Sequence, residues 1–157
     1  MSLKKIISAS RLKKLGDSLR SQKKKIVFTN GTFDILHIGH VDYLQKAKKL
    51  GNVLVVGVNS DSSVKSYKGP NRPINPERER LAVLAALECI DYVVLFPEPT
   101  PIKLIQLLRP QLLAKGGDWK KSQIVGAPEV ESWGGSVKRI PYIQDRSTTR
   151  LIQKLGL

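Results

Sequence analysis

The sequence predicts an α/β fold in which helices cover both faces of a parallel sheet of about five strands. Strand-length apolar segments alternate with helical segments roughly every 20–25 residues, which is the rhythm of βαβ units. The segment NVLVVGVNSD at 52–61 is almost continuously apolar, as strands are when both faces of a parallel sheet are buried. These two observations predict a Rossmann-like three-layer sandwich.

The individual elements follow from apolar spacing and from turn residues. Leu12, Leu15 and Leu19 recur at helical spacing and predict a short amphipathic helix. Pro76 stands where a helix begins, and Pro110 stands where another ends. The predicted helices are 9–20, 39–49, 77–88, 100–110, 122–135 and 147–157, and the predicted strands are 26–28, 52–61, 91–96, 111–118 and 136–142. The polar segment at 62–75, which contains glycine and proline, is predicted to be a loop.

Positive charge is concentrated near the N-terminus. The chain carries a formal net charge of +14, and residues 1–25 contain nine lysines and arginines but a single acidic residue. We therefore divide the chain into a basic N-terminal helical extension at 1–25 and a single domain at 26–157. A basic surface suits nucleotides, sugar phosphates, nucleic acid or an acidic membrane face. A solvated lysine-rich face explains the same composition without any partner.

Composition excludes several classes of protein. One cysteine, Cys89, excludes an internal disulfide framework and a cysteine-based zinc site. No apolar run approaches the roughly 20 residues that a membrane helix needs. The N-terminal segment lacks the apolar stretch and cleavage site of a secretory signal. The expectation is a cytoplasmic protein without membrane insertion.

Small and polar residues follow three of the predicted strands. They occupy residues 29–34, 59–61 and 115–118. In open parallel sheets, ligands bind beyond the carboxyl ends of the strands. The sequence therefore predicts a binding site at this edge of the sheet.

The two histidines of the chain, His37 and His40, lie in the stretch TNGTFDILHIGH at 29–40. A glycine turn lets the backbone approach a phosphate, and the following helix offers free N–H groups and a positive dipole end. Imidazoles at the first turn add hydrogen-bond donors. A coincidental pair, or a metal site completed by carboxylates, fits the spacing as well. The spacing alone leaves these alternatives open.

The wider pattern resembles the nucleotidyltransferases that carry a HIGH motif, the cytidylyltransferase-like superfamily. These enzymes join a nucleoside triphosphate to a phosphorylated acceptor and release pyrophosphate. The resemblance extends over roughly residues 25–157. The motifs that carry it are GTFD at 31–34, HIGH at 37–40, NSD at 59–61, KGPNRPINPERER at 68–80, KGGDW at 115–119 and STT at 147–149.

Within this superfamily, the sequence resembles in particular the adenylyltransferases that act on D-glycero-β-D-manno-heptose 1-phosphate, including the adenylyltransferase half of the bifunctional heptose kinase/adenylyltransferase. The resemblance implies that ATP and a sugar phosphate are the substrates and that ADP-heptose and pyrophosphate are the products. It implies Mg²⁺, held mainly by phosphates rather than by side chains. It also implies a homodimer that binds no nucleic acid.

The same resemblance implies roles for individual residues. The implied catalytic residues are His37, His40 and Lys68. The implied nucleotide-binding residues are Gly31, Thr32, Phe33, Gly39, Arg80, Ser147, Thr148 and Thr149. The implied acceptor-binding residues are Asp34, Asp61, Arg72, Lys115 and Asp118. Lys68 and Arg72 are implied to lie on a mobile loop that closes on the substrate.

One departure bears on the substrate. Related glycerol-phosphate cytidylyltransferases carry RTEGISTT, whereas this chain has PYIQDRSTT at 141–149, with Arg146 directly before the serine. This difference weakens a cytidylyltransferase that uses CTP and glycerol 3-phosphate, which stays an alternative beside enzymes that use a flavin or pantetheine phosphate. A basic nucleic-acid-binding module with a degenerate site is the alternative from a different class.

Overall fold

The computed structural model contains one sheet of six parallel strands between two layers of helices. It describes residues 3–117 and 120–141 together with residues 148 and 152. In these ranges the strands are β1 (Ile6–Ile7), β2 (Ile26–Gly31), β3 (Val53–Asn59), β4 (Tyr92–Phe96), β5 (Leu112–Gly116) and β6 (Ser136–Ile140). The α-helices are α1 (Leu12–Ser21), α2 (Ile38–Lys48), α3 (Asp61–Lys68), α4 (Glu77–Ala86), α5 (Ile102–Leu108) and α6 (Ala127–Ser132).

The two faces of the sheet bury two separate cores. Ile26 and Phe28 of β2 pack in the core that α1, α5 and α6 cover. Val27, between them, packs in the opposite core under α2 and α4. This alternation follows from the strand geometry, in which successive side chains point to opposite faces. The predicted three-layer α/β sandwich is confirmed.

The strand order creates a crevice at the centre of the sheet. The order is β1-β4-β3-β2-β5-β6. From β2 the chain fills one side with β3 and β4, and then crosses to the other side for β5 and β6. The order therefore reverses between β2 and β5, and the loops after these two strands diverge. Such a switch point is where open α/β sheets bind ligands.

The N-terminal segment contributes the sixth strand. Ile6 and Ile7 pair with Val93 and Val94 at the edge of the sheet. A strand of two residues is too short to show an alternating pattern, so the sequence analysis found five strands. The domain boundary drawn at residue 26 stays a prediction.

The prediction of a loop over 62–75 is wrong in its first half, which belongs to α3. The Ser60 hydroxyl caps this helix by accepting a hydrogen bond from the Ser63 N–H at 3.2 Å. Only one apolar side chain of the helix, that of Val64, is fully buried. The helix therefore has a cap but no apolar stripe, which is why periodicity missed it. It ends at Gly69, whose φ of +94° suits a residue without a Cβ.

The predicted helix over 122–135 is shorter in the structure, where it forms α6. The predicted helix over 147–157 lies outside the described residues except for positions 148 and 152. None of the helices formed by the described residues is long and apolar enough to span a membrane.

A glycine permits a close approach of α1 to α5. Gly16 is buried in α1, and a Cβ built on it would lie 2.3 Å from the carbonyl oxygen of Leu108. A side chain at this position would push the two helices apart. Helix propensity alone favours alanine over glycine by about 1 kcal/mol, so the two effects have opposite signs.

We expect Gly16→Ala to destabilise the protein by about 1–3 kcal/mol, because overpacking outweighs the gain in helix propensity. Urea unfolding measures the change. Lys14→Ala, at an exposed position of the same helix, is the matched control and should shift the unfolding free energy by no more than about 0.5 kcal/mol. A Gly16→Ala protein as stable as the wild type would contradict the close packing of α1 on α5.

Candidate active site

An open cleft of about 610 Å³ lies over the carboxyl ends of the central strands. Its walls come from the ends of β2, β3 and β5, from α2 and from the last turn of α3. The residues singled out in the sequence that line it are Gly31, Thr32, Phe33, Asp34, His40, Lys68, Arg72, Lys115 and Thr148. Ser147, Thr149 and Asp118 lie outside the described residues. The strand-end segments predicted to converge therefore do so.

The first histidine of the HIGH motif caps its own helix. His37 has extended backbone, and its Nδ1 accepts a hydrogen bond from the Gly39 N–H at 3.1 Å. Because Nδ1 is an acceptor, the proton of the neutral imidazole lies on Nε2. The Gly39 N–H is thus used within the protein, and in that neutral form Nε2 carries the donor of the ring.

The second histidine stacks against the first. The ring centroids of His37 and His40 lie 4.0 Å apart, and the Phe33 ring lies 5.5 Å from His40. Burial lowers the pKa of His40 from its ordinary value of 6.5 to about 4, and electrostatic interactions with His37 and Lys68 lower it further. His40 is therefore neutral at pH 7. Its Nδ1 is buried and has no hydrogen-bond partner among the described residues.

The turn between β2 and α2 contains an uncommon backbone conformation. Phe33 has a φ of +49°, in the left-handed region that side chains other than glycine rarely adopt. Its ring is buried and lies 3.1 Å from the position that a Cβ on Gly31 would take. Gly31 thus leaves room for the ring that this turn folds inward. Non-glycine residues held in this region cluster at ligand sites.

Arg80 is buried at the centre of the loops that form the cleft, with 2% of its surface exposed. Its Nη1 donates to the Thr32 carbonyl at 2.6 Å, and its Nε donates to the Asn75 carbonyl at 3.0 Å. Its Nη2 donates to the Asn59 carbonyl at 2.8 Å and to Asp61 Oδ1 at 2.7 Å. One guanidinium therefore joins the segments after β2 and β3 to the segment before α4.

Asp34 is likewise occupied by protein donors. Its side chain is 1% exposed, and Oδ2 pairs with Arg72 Nε and Nη2, both at 2.9 Å. The N–H groups of Ile74 and Asn75 donate to the same carboxylate at 2.9 Å and 2.8 Å. In the structure this carboxylate holds the loop before α4 rather than facing an open site.

Two lysines bring positive charge to the cleft. Burial lowers the pKa of Lys68, and the neighbouring Arg72 lowers it further. Burial also lowers the pKa of Lys115, whose Nζ lies 3.5 Å from Asn30 Oδ1. An anion bound between these ammonium groups would compensate for their lost hydration.

Sequence reasoning missed Tyr67, which lines the cleft and is 51% exposed. Its hydroxyl lies 2.7 Å from Thr32 Oγ1 and joins α3 to the end of β2. Tyr67 lies in the segment predicted to be a loop, so no pattern in the sequence indicated that it lies over the site. On the other side, Thr148 Oγ1 donates to the Ile35 carbonyl at 3.2 Å.

The cleft offers an anion more than it offers a bare metal ion. Among residues 3–117 and 120–141, together with 148 and 152, no three His, Cys, Asp or Glu side chains are grouped to hold a metal. The carboxylates of Asp34 and Asp61 already accept hydrogen bonds from Arg72 and Arg80. A divalent ion here would depend on oxygen ligands from its own substrate.

Comparison with protein families matches residues 28–154 to the family described as cytidylyltransferase-like. The chain belongs to this family. The matched range begins within β2 and includes both histidines and the Arg80 network. The superfamily resemblance in the sequence is confirmed.

Curated relatives share about half of their residues with this chain. The bifunctional protein HldE of Geobacter metallireducens is 55% identical over 136 residues, and that of Hahella chejuensis is 48% identical over 149 residues. These alignments cover 87% and 95% of this chain but 28% and 31% of the relatives. The chain therefore spans less than a third of the length of these proteins.

Solved structures support the same fold. A lipopolysaccharide core biosynthesis protein from Thermoplasma volcanium has a TM-score of 0.64 at 30% identity, covering 78% of this chain and 99% of its own. A pantoate–β-alanine ligase from Francisella tularensis has a TM-score of 0.61 at 20% identity, covering 92% of this chain and 68% of its own. The second likeness concerns the fold alone.

We expect Arg80→Lys to lower the free energy of unfolding by about 3 kcal/mol, because one ammonium group cannot reach the four oxygens that the guanidinium joins. Urea unfolding measures this loss. Arg78→Lys, on an exposed position two residues earlier in α4, is the matched control and should change stability by less than about 0.5 kcal/mol. Equal effects of the two substitutions would show that the buried network does not hold the loops.

Proposed function

We propose that the chain transfers AMP from ATP to a heptose 1-phosphate, giving ADP-heptose and pyrophosphate. The observation that carries the proposal is the neutral His40, stacked on His37 at the start of α2, which shares one cleft with Lys68, Arg72 and Lys115. A helix N-terminus, imidazole donors and three cations together suit a polyphosphate.

In the proposed reaction, a phosphate oxygen of the acceptor attacks the α-phosphorus of ATP in line. A new P–O bond forms there, the bond to the β-phosphate bridging oxygen breaks, and pyrophosphate leaves with that electron pair. Sugar phosphates are largely dianionic at neutral pH, because their second pKa is about 6. The attacking oxygen therefore needs no general base, and the site has to hold charge rather than remove a proton.

The histidines are proposed to bind the phosphates that react. His37 Nδ1 accepts the Gly39 N–H that caps the helix, and we assign the other ring nitrogen, Nε2, to the phosphates of the nucleotide. His40 enters the reaction neutral and can therefore gain a proton or strengthen a hydrogen bond as negative charge grows on the leaving group. A pair that was already doubly protonated would repel itself at a ring separation of 4.0 Å.

The remaining cations are proposed to divide between the two substrates. Lys68 and Arg72 line the cleft from the α3 side, and Lys115 lines it from the end of β5. We assign Lys68 and Arg72 to the phosphates and Lys115 to the acceptor. Ser147, Thr148 and Thr149 remain proposed contacts of the nucleotide, as Asp61 and Asp118 remain proposed contacts of the acceptor.

The choice of ATP and heptose 1-phosphate rests on the sequence resemblance and is supported by the identity of 55% to a bifunctional protein HldE. Mg²⁺ is proposed to arrive with the nucleotide, since the described side chains offer it no site of their own. When bound to the phosphates, Mg²⁺ neutralises their charge and makes pyrophosphate a better leaving group.

The experiment is pyrophosphate release with Mg²⁺, in which ATP, CTP, GTP and UTP are each paired with heptose 1-phosphate, glycerol 3-phosphate, phosphopantetheine and flavin mononucleotide. We expect release with ATP and heptose 1-phosphate. His37→Asn should reduce kcat about 100-fold, because it removes the Nε2–H donor while asparagine remains a good helix cap.

Gln45→Ala, at an exposed position of the same helix, is the matched control and should keep the wild-type rate. Release with another pair alone would replace the substrates and keep the chemistry. A His37→Asn enzyme with wild-type kcat would contradict the proposed role of the histidine pair.

A further inference from the structure

The loop at 69–75 joins α3 to α4 and carries Arg72 into the cleft. Family resemblance implies that such a loop is mobile and that Asp34 contacts the acceptor. The contacts of Asp34 in the structure indicate a different role for this residue, because they are made with the loop itself. They concern the same reaction, so the inference below rests on the proposed function.

The Asp34 carboxylate has no capacity left for a ligand. It is buried, and it accepts hydrogen bonds from two guanidinium nitrogens of Arg72 and from the N–H groups of Ile74 and Asn75. In addition, Asn75 Nδ2 donates a hydrogen bond to the backbone carbonyl of Asp34 at 2.6 Å. Asp34 thus holds residues 72–75 through its carboxylate and through its backbone carbonyl.

The same contacts orient Arg72 toward the cleft. Its Nε and Nη2 lie on Asp34, while Nη1 has no hydrogen-bond partner among the described residues. The guanidinium is planar, so fixing one edge fixes the direction of the other donors. Arg72 lines the cleft and is therefore held with a free donor before any ligand arrives.

The loop is also held at its far end. Arg80 donates to the Asn75 carbonyl at 3.0 Å, directly beside the contact that Asp34 makes with the N–H of the same residue. Lys68 ends α3 immediately before the loop, and Gly69 begins it. Anchoring the loop between Asp34 and Arg80 thereby restricts the position of Arg72.

We propose that Asp34 is a positioning residue: its buried carboxylate fastens the loop at 69–75 to the β2–α2 turn and presets Arg72 as a fixed phosphate-binding wall. Asp34 then acts on the reaction through Arg72 and not by touching the acceptor or a metal ion. The loop is built in its working position in the free protein, so binding does not have to order it.

A double-mutant cycle on kcat/KM tests this assignment. Asp34→Asn places an amide where two donors of Arg72 need an acceptor, and we expect kcat/KM to fall about 100-fold as Arg72 moves. In an Arg72→Met background, the same substitution should change kcat/KM less than about threefold, because its target is already gone. Asp42→Asn, which removes a half-buried carboxylate paired with Lys46 outside the cleft lining, is the matched control and should leave kcat/KM unchanged.

Multiplicative effects of Asp34→Asn and Arg72→Met would overturn the proposal, since Asp34 would then act on a ligand directly. An Asp34→Asn enzyme with wild-type kcat/KM would overturn it as well. If Asp34→Asn does not fold, Arg72→Lys tests the same contact: it keeps the charge, loses the planar fork, and should lower kcat/KM in a protein of near wild-type stability.

Hydrogen exchange of the Ile74 and Asn75 amides separates this proposal from the proposed function. We expect both amides to be protected in the free wild-type protein and to lose that protection in Asp34→Asn. Unprotected amides in the wild type would overturn the anchoring. Protected amides in a protein that releases no pyrophosphate with any substrate pair would leave the anchoring intact and reject the proposed function.

Discussion

The cleft depends on one buried guanidinium. Arg80 cannot remain charged in the interior unless its donors find oxygens, and the oxygens are the carbonyls of Thr32, Asn59 and Asn75 and the carboxylate of Asp61. These acceptors belong to three separate segments around the cleft. Satisfying a single side chain therefore fixes how the segments stand relative to one another. The central strands bring them to one edge, and Arg80 sets their final arrangement.

The electrostatics of the cleft depend on the pairing of its neighbouring carboxylates with arginines. The buried carboxylate of Asp34 pairs with Arg72, and the partly exposed carboxylate of Asp61 pairs with Arg80. Lys68 and Lys115 then line the site with lowered pKa values, chiefly because burial removes their hydration. His40 remains neutral for the same reason. The result is a site lined by cationic and hydrogen-bond-donating groups, which suits a ligand of several negative charges.

The sequence predicted the layers, the five longer strands and the meeting of the strand ends, because each rests on local apolar patterns. It missed β1, which has two residues, and α3, whose stability comes from the Ser60 cap rather than an apolar stripe. It could not assign the partners of Arg80 and Asp34. Those partners are distant in the chain. A motif gives the residue type at a position, but it does not show whether a protein group or a ligand contacts that side chain.

The most direct test of this account is the pKa of His40, followed by NMR of its imidazole Cε1–H in the free protein and with Mg²⁺ and a non-hydrolysable ATP analogue. The account predicts a pKa of about 4 without ligand. It predicts a rise of at least about one unit when phosphates lie against the ring, because a nearby negative charge favours the protonated form. A pKa that stays unchanged at saturating analogue would contradict the central claim that the histidine pair receives the phosphates.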